Sequence, residues 1–392
     1  LNRGGKGYYA LDITDPANPS LLWGFTDANM GYSYGNPRIV KLGGSSSDAG
    51  KWVVIVTSGY DNADGKGHLY VLNANTGAVI RDISTGVGSA ASPSGLARIS
   101  ARVVAPDTDS TVKAVYGGDL LGNLWRFDVN GDVGASGYEA QLLVTLKDGS
   151  GNAQPITAKP TVATVDGVPV VFIGTGVFLG TSDVTSTRQQ SFYAVKDLLN
   201  ATTYSNPRSV GSNFVQQTMV SSTCSADAAT ANVCLLGQTI RSISGTGCQD
   251  MDWSTNNGWY VDFVTGGERS YTDSDLGLGT LVFTTITPNR SSVSACGHSS
   301  PDTSASFAYH LDYRSGCSVA GAYGVAGVSL GSGLVSQPVL AKLPDGTVLE
   351  FIRGGTFDGD SLDPAGPTIV LHPPIGNSSI GGRRVSWREL SN

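Results

Sequence analysis

The sequence is poor in charge, in methionine and in long apolar runs. Charged residues make up 15% of its 392 positions, against about 25% in an ordinary soluble domain. Met occurs only 3 times, and the Ala-, Leu-, Glu- and Lys-rich runs that build long helices are almost absent, which argues against a helical fold. No apolar run approaches the ~20 residues that span a bilayer, so no transmembrane helix is expected. Lys and Arg cluster nowhere before Arg383-Arg384, and the net charge is −7; a basic groove for nucleic acid is therefore excluded. No leader-like segment opens the chain, which starts at Leu1. The expectation is a piece of a longer exported protein whose N-terminal region and targeting signal lie upstream.

Catalytic signatures are also scarce. The four histidines are His68, His298, His310 and His372, and His68 and His310 fall inside strand patterns, where a packed or surface histidine is far commoner than a base. One Gly-x-Ser-x-Gly match, Gly327-Val328-Ser329-Leu330-Gly331, has no following helix, whereas a nucleophile elbow needs a strand-to-helix turn. There is no Walker loop and no His-Glu-x-x-His pair. The first half lacks cysteine, and the five present, Cys224, Cys234, Cys248, Cys296 and Cys317, form no Cys-x-x-Cys. Zinc ribbons and thioredoxin-like sites are disfavoured by that spacing. Two local disulfides fit better, for example Cys224 with Cys234 and Cys296 with Cys317, leaving Cys248 unassigned; five buried reduced thiols are the alternative. Disulfides imply an oxidising compartment.

What the chain has in quantity is glycine, 52 residues, which supplies the positive-φ positions of tight turns. Short apolar segments separated by turns recur in a fixed order. The clearest copy reads Pro37-Arg38-Ile39-Val40, Trp52-Val53-Val54-Ile55-Val56, His68-Leu69-Tyr70-Val71-Leu72 and Val79-Ile80-Arg81-Asp82. Further copies start near Ala97, at Lys159 and at Gln337, and the pieces around Leu281 and Phe307 suggest another and Gly258-Trp259-Tyr260 one more. Meanders repeating at about 40–60 residues are the signature of a β-propeller. We expect an all-β fold with about six to seven blades and loop insertions, as a single domain over residues 1–392, with 200–257 an insertion or eroded blade. The opening Gly7–Asp12 and Leu21–Phe25 read as the outer two strands of a blade whose first half is missing. The second strand of the clearer copies ends in a small-residue step (Ser58-Gly59, Gly117-Gly118, Gly174-Thr175-Gly176, Gly354-Gly355), read as letting blades converge near a central channel. Two stacked β-sandwiches with a boundary near residue 205 are the alternative, but sandwich strands have no reason to repeat this order.

Ca²⁺ is the cofactor the residues favour, because it takes several hard oxygens from one tight loop. The candidates are Asp61 and Asp64 in Asp61-Asn62-Ala63-Asp64-Gly65, Asp107 and Asp109 in Asp107-Thr108-Asp109-Ser110, and the loops Asp128–Asp132 and Asp358–Asp363. Asp, Asn and Gly are also the ordinary residues of β-turns.

Three segments together resemble the C-terminal domain of the PilY/PilC family of type IV pilus biogenesis proteins: Gly7-Tyr8-Tyr9-Ala10-Leu11-Asp12-Ile13-Thr14-Asp15-Pro16, Tyr116-Gly117-Gly118-Asp119-Leu120-Leu121-Gly122-Asn123-Leu124-Trp125-Arg126-Phe127-Asp128, and Gly382-Arg383-Arg384-Val385-Ser386-Trp387-Arg388-Glu389-Leu390. The second is the most specific. The resemblance implies a modified, quinoprotein-like propeller without the cofactor role, exported to the pilus tip, outer membrane or cell surface. It also implies a non-enzymatic part in pilus extension, adhesion and twitching motility, with minor pilins and host or abiotic surfaces as partners. Exposed loops such as 181–190 and 218–257 are the expected contact regions, since loops on rigid scaffolds carry most recognition. In some members a calcium loop precedes the Tyr-x-Gly-Asp strand; the matching place here holds Asp107-Thr108-Asp109-Ser110-Thr111-Val112-Lys113, shortened, without the turn glycine and with Lys113 at the last carboxylate position. The rival functions are a quinoprotein-like dehydrogenase, disfavoured by the lack of adjacent cysteines, and a carbohydrate-binding propeller.

Overall fold

The computed structural model describes residues 5–133, 137–288, 304–355 and 368–376. Runs such as Val53-Val54-Ile55-Val56 and Val170-Val171-Phe172-Ile173 are apolar at every position, and all of these residues are buried. A strand that is apolar on both faces needs a sheet against each face, and the architecture supplies them. β1 (Tyr8–Asp12) and β2 (Ser20–Phe25) form a two-stranded sheet. Next come two four-stranded antiparallel meanders, β3 (Arg38–Lys41) to β4 (Trp52–Thr57), β5 (Lys66–Asn73) and β6 (Val79–Gly88), then β7 (Ile99–Ala105) to β8 (Asp109–Gly118), β9 (Asn123–Phe127) and β10 (Ala140–Thr145). A bridge between Lys41 and Thr111 joins them.

The third meander is β11 (Thr161–Val165), β12 (Val168–Gly174) and β13 (Ser191–Lys196), whose fourth strand comes only after a long insertion. That insertion carries β14 (Phe214–Gln217), β15 (Val220–Thr223), a single-turn helix at Ala226–Thr230 and β16 (Thr239–Ser242); β17 (Gly258–Asp262) then pairs with β13. β14 lies parallel to β17, while β15 and β16 extend the next sheet. That sheet is β18 (Asp275–Gly277), β19 (Thr280–Thr287), β20 (Ala305–Asp312) and β21 (Val325–Ser332). In the last sheet β22 (Leu334–Val335) and β23 (Val339–Lys342) share one edge of β24 (Val348–Gly355), with β25 (Thr368–Leu371) on the other. Gly258-Trp259-Tyr260 is therefore the outer strand of the third meander, not a further blade; the insertion had separated it from its sheet in the sequence. Residues 200–257 are an insertion decorating two blades. Among the described residues one α-helix occurs, and no helix is long and apolar enough to cross a membrane.

Five apolar clusters lie between consecutive sheets. β1–β2 pack on β3–β6 through Tyr8, Trp23, Phe25, Val54 and Tyr70, and that meander meets β7–β10 through Val53, Ile55, Leu69, Ile99 and Trp125. Tyr116, Leu124, Val171 and Tyr193 fill the next interface, Phe172, Trp259, Phe283 and Tyr309 the one after, and Ile240, Ile286, Val335 and Ile352 the last. One core per neighbouring pair is what radially stacked blades produce; two face-to-face sandwiches would have two cores. The fold is a β-propeller.

The small-residue steps are points of close backbone approach between blades. Each segment leading into a blade binds the ends of two second strands at once. Leu96 and Gly59 exchange backbone hydrogen bonds while the Leu120 amide donates to Ser94 O. Ile156 donates to Asp119 O, and Gly176 donates to Pro155 O. Arg269 and Ile286 exchange bonds while Ser270 donates to Thr175 O. The lead-in backbone passes so close that side chains are excluded. A Cβ on Gly59, whose φ is +71°, would lie 1.9 Å from Tyr32 O, and one on Gly118 would lie 2.1 Å from Ile156 Cγ2.

Cys224 bonds Cys234, and Cys248 bonds Cys317. The second bond corrects the expected pairing of Cys317 with Cys296, since the insertion folds back over the third and fourth blades and delivers Cys248 to the β20–β21 turn. Cys296 lies outside the described residues, as do His298, the loop 358–363 and the closing segment 382–390.

Candidate functional site

The turn between β4 and β5 holds the first pair of predicted metal residues. Asp61 sits at φ +59°, and its backbone oxygen accepts from Lys6 Nζ at 3.2 Å. Asp64 Oδ1 accepts from the Lys66 amide and from Asn62 Nδ2, both at 3.0 Å. Its Oδ2 faces His68 Nε2 at 3.1 Å. His68 Nδ1 faces Asp82 on β6 at 2.9 Å, and the His68 ring stacks on Tyr70, whose hydroxyl donates to Asp27. An open cavity of about 530 Å³ beside this turn is lined by Lys6, Asp27, Asp61 and Asn62. The arrangement is a buried imidazole clasped by two carboxylates, and sequence reading missed Asp82 because it is a diagonal neighbour across the hairpin.

Asp107 and Asp109 occupy the β7–β8 turn, on a different blade from Asp61 and Asp64. Asp109 Oδ1 accepts from the Thr111 amide at 2.9 Å. Hydrogen bonds from Thr111, and then the charges of Lys41 and Lys113, hold its carboxyl below the usual range. Two carboxylates beside two ammonium groups fall short of the six to eight oxygens that Ca²⁺ takes. In the loop after β9, Asp128 is spent internally, accepting the amides of Asn130, Gly131, Asp132 and Val133. Among the described residues no three His, Cys, Asp or Glu side chains converge as a metal site.

The most distinctive sequence segment, Tyr116 to Asp128, builds fasteners. Asp119 is fully buried and accepts four donors at 2.9 Å each: the Leu121 and Asn123 amides, Asn123 Nδ2 and Trp125 Nε1. Burial pushes its carboxyl up, and those donors pull only part of the way back. Arg126 Nη1 meets Asp197 Oδ1 at 2.6 Å with both side chains 1% exposed, and Tyr116 donates to Asp197 Oδ2 at 2.7 Å. This cluster ties the second meander to the third. Nearer the lead-ins, Asp273 Oδ1 receives Arg98 Nη1 at 2.7 Å and the Lys159 amide at 2.9 Å, so one carboxylate joins three successive blades. Burial opposes its charge, but the charges of Arg98 and Lys159 and the hydrogen bonds from both together hold the carboxyl low. His310 pairs with Glu350 of the next blade at 2.5 Å.

The His68 clasp has a pH signature. An imidazole donates from both nitrogens only when protonated. Burial lowers the His68 pKa, but the hydrogen bonds to Asp82 and Asp64 outweigh burial and leave it raised. A raised folded pKa stabilises the fold fully below the unfolded value of about 6.5, and the gain is lost as pH rises through the folded value. His68→Gln should therefore lose more stability at pH 5.5 than at pH 9, read from urea midpoints. An equal loss at both pH values would contradict the clasp.

Comparison with known proteins agrees with this architecture. A family model described as the PilY1 beta-propeller domain matches residues 1–232. The type IV pilus biogenesis factor PilY1 of Pseudomonas aeruginosa is 32% identical over 328 residues, covering 74% of this chain and 27% of that protein. A PilY1 homolog of Xylella fastidiosa is 28% identical over 406 residues, covering 100% of this chain and 29% of its own length. The crystal structure of the P. aeruginosa PilY1 C-terminal domain matches with a TM-score of 0.67 at 24% identity, over 95% of this chain and 79% of that one; it shares the fold. The chain spans less than a third of the length of these curated relatives, which are named as pilus biogenesis factors and not as enzymes. The chain belongs to the PilY1 β-propeller family of type IV pilus biogenesis factors.

Proposed function

We propose that residues 1–392 form one propeller domain that acts without chemistry as a rigid platform at the pilus tip or outer surface. It holds minor pilins there and so promotes fibre extension, adhesion and twitching motility. The observation that carries this reading is the use made of the polar groups. Arg126, Asp197, Asp273 and Arg98 are engaged in fastening blades and Asp119 in closing the β8–β9 turn, and stiff scaffolds present recognition on their loops. The 218–257 insertion supplies such a loop. The bond between Cys224 and Cys234 closes it, and Leu235 and Leu236 stand largely exposed beside Cys234. Disulfides and the pilus biogenesis relatives fit an exported protein.

The test is a chromosomal Leu235→Asp/Leu236→Asp variant carried in the full protein, with surface pili counted by electron microscopy and twitching zones measured. Sparse pili with normal secretion of the variant are expected. Full piliation with unchanged twitching would refute this contact surface, and loss of secretion would be resolved by Leu235→Ser/Leu236→Ser, which removes the apolar contact without adding charge.

A further inference from the structure

The β3–β6 and β7–β10 meanders share a core, but along β3 a cleft of about 410 Å³ stays open between them. Ile39 of β3 lines it and is 61% exposed. Ile99 follows Arg98 on β7 as Ile39 follows Arg38, yet it is 1% exposed. Trp52, the register partner of Lys41 at the start of β4, also lines the cleft and is 46% exposed. Facing these two large side chains are Ser100 and Ala101 of β7 and Ser110 of β8, small residues that leave the gap unfilled.

The charge of the cleft is of one sign. Arg38 and Lys159 line it, and among the described residues no Asp or Glu does, although the chain carries a net charge of −7. Arg38 Nε donates to Ile99 O at 3.1 Å, which holds the guanidinium across the gap between β3 and β7. The Lys159 amide and Arg98 share Asp273, so Lys159 stands at this same end. At the other end Lys41 lies over the Trp52 ring, 5.2 Å from its centroid. The carboxylates beside the cleft have cations of their own. Asp273 bonds Arg98 at 2.7 Å, and Asp109, next to Ser110, lies in the field of Lys41 and Lys113.

We infer that the Arg38–Trp52 cleft docks a partner protein by an extended segment with a carboxylate at one end and alternate apolar side chains. The carboxylate meets Arg38 and Lys159, and the apolar side chains cover Ile39 and Trp52. Charge complementarity selects the acidic end, because a cationic or neutral segment would leave these two charges desolvated without a counter-charge. The length follows from the strand: at roughly 3.3 Å per residue, Pro37 to Val40 spans about 13 Å, or four extended residues. Alternation follows from the same geometry, since only every second side chain of an extended segment faces one wall. This surface lies on other blades than Leu235 and Leu236 and does not depend on them.

Fluorescence anisotropy of the 392-residue chain with short peptides of alternating leucine and serine, all carrying the same uncharged dye, tests this. One peptide ends in a free carboxylate, one is amidated after a terminal glutamate, and one is amidated and uncharged. Both anionic peptides should bind about tenfold tighter than the uncharged one, and the difference should shrink as NaCl is raised. Whichever anionic peptide binds tighter tells a chain end from an acidic side chain. Lys159→Gln keeps the amide that Asp273 accepts, and Ile39→Ser changes an exposed side chain. Each should weaken binding by about fivefold with an unchanged urea midpoint. Equal binding of the three peptides, or binding of none, overturns the inference. So does a chain that dimerises alone and loses the dimer in Ile39→Ser, which assigns the cleft to a second copy. None of these outcomes bears on the Leu235–Leu236 surface, so the two readings stand or fall separately.

Discussion

Gly59→Val is expected to be the most damaging single substitution in the protein, costing about 4 kcal/mol or more and leaving little folded material. Two independent effects add. Gly59 sits at φ +71°, a region that β-branched residues rarely occupy and that costs them on the order of 1–3 kcal/mol. Its Cβ would also fall 1.9 Å from Tyr32 O, inside the backbone of the lead-in segment. That oxygen cannot swing away as a side chain would, because it accepts the Tyr60 amide, and Tyr32 in turn donates to Tyr60 O. The lead-in must shift bodily, and the Gly59–Leu96 bridge to the next blade goes with it. Gly24→Ala is the control: no atom lies within 4 Å of its would-be Cβ and its φ is ordinary, so the urea midpoint should stay near wild type. Equal midpoints for both variants would show that the small-residue steps are not the fasteners described above.

The steps also mark how far the sequence could be read. Their recurrence after each second strand was visible, and with it the blade as a repeating unit, because an apolar run, a glycine and a polar turn are local features. Their partners were not visible. Leu96, Ile156 and Ser270 come from the lead-ins of following blades, and nothing in a strand's own pattern says which distant backbone will lie against its end. The insertion hid more. Gly258–Asp262 reads as an independent strand, and only the register Tyr193 to Tyr260 shows that it completes the third blade. Cys317 was matched to Cys296 by nearness in sequence, whereas the fold brings Cys248 to it across 69 positions. Asp61, Asp64, Asp107 and Asp109 illustrate the opposite limit: acidic turns were easy to find, but a turn made by Asp and Asn looks the same whether its carboxylates face an ion or their own amides.

The networks that the sequence left unseen are those that make the platform stiff. Asp273, Arg98 and the Lys159 amide join three blades, and Arg241, Glu268 and Tyr309 form a second buried group inside the fourth blade. Each places a charge where an apolar residue would pack well. Burying an ion pair gives little net stability but penalises any arrangement in which the partners separate. Slippage between blades would expose an unpaired charge.

Arg126 and Asp197 give this idea its sharpest test. Arg126→Met should cost about 3–5 kcal/mol, because it leaves the Asp197 carboxylate buried with only the Tyr116 hydroxyl and the Leu199 amide as donors. Asp197→Leu should cost a similar amount, stranding the guanidinium with Asn200 O. The double variant Arg126→Met/Asp197→Leu removes both charges and fills the same space, so it should recover at least half of the larger single loss. Denaturant midpoints of the four proteins close the cycle. Additive losses in the double variant would mean that the two residues act independently and that the pair does not fasten the second blade to the third. Recovered stability together with faster proteolysis between residues 145 and 161 would show a pair that contributes rigidity at the blade junction more than it contributes free energy.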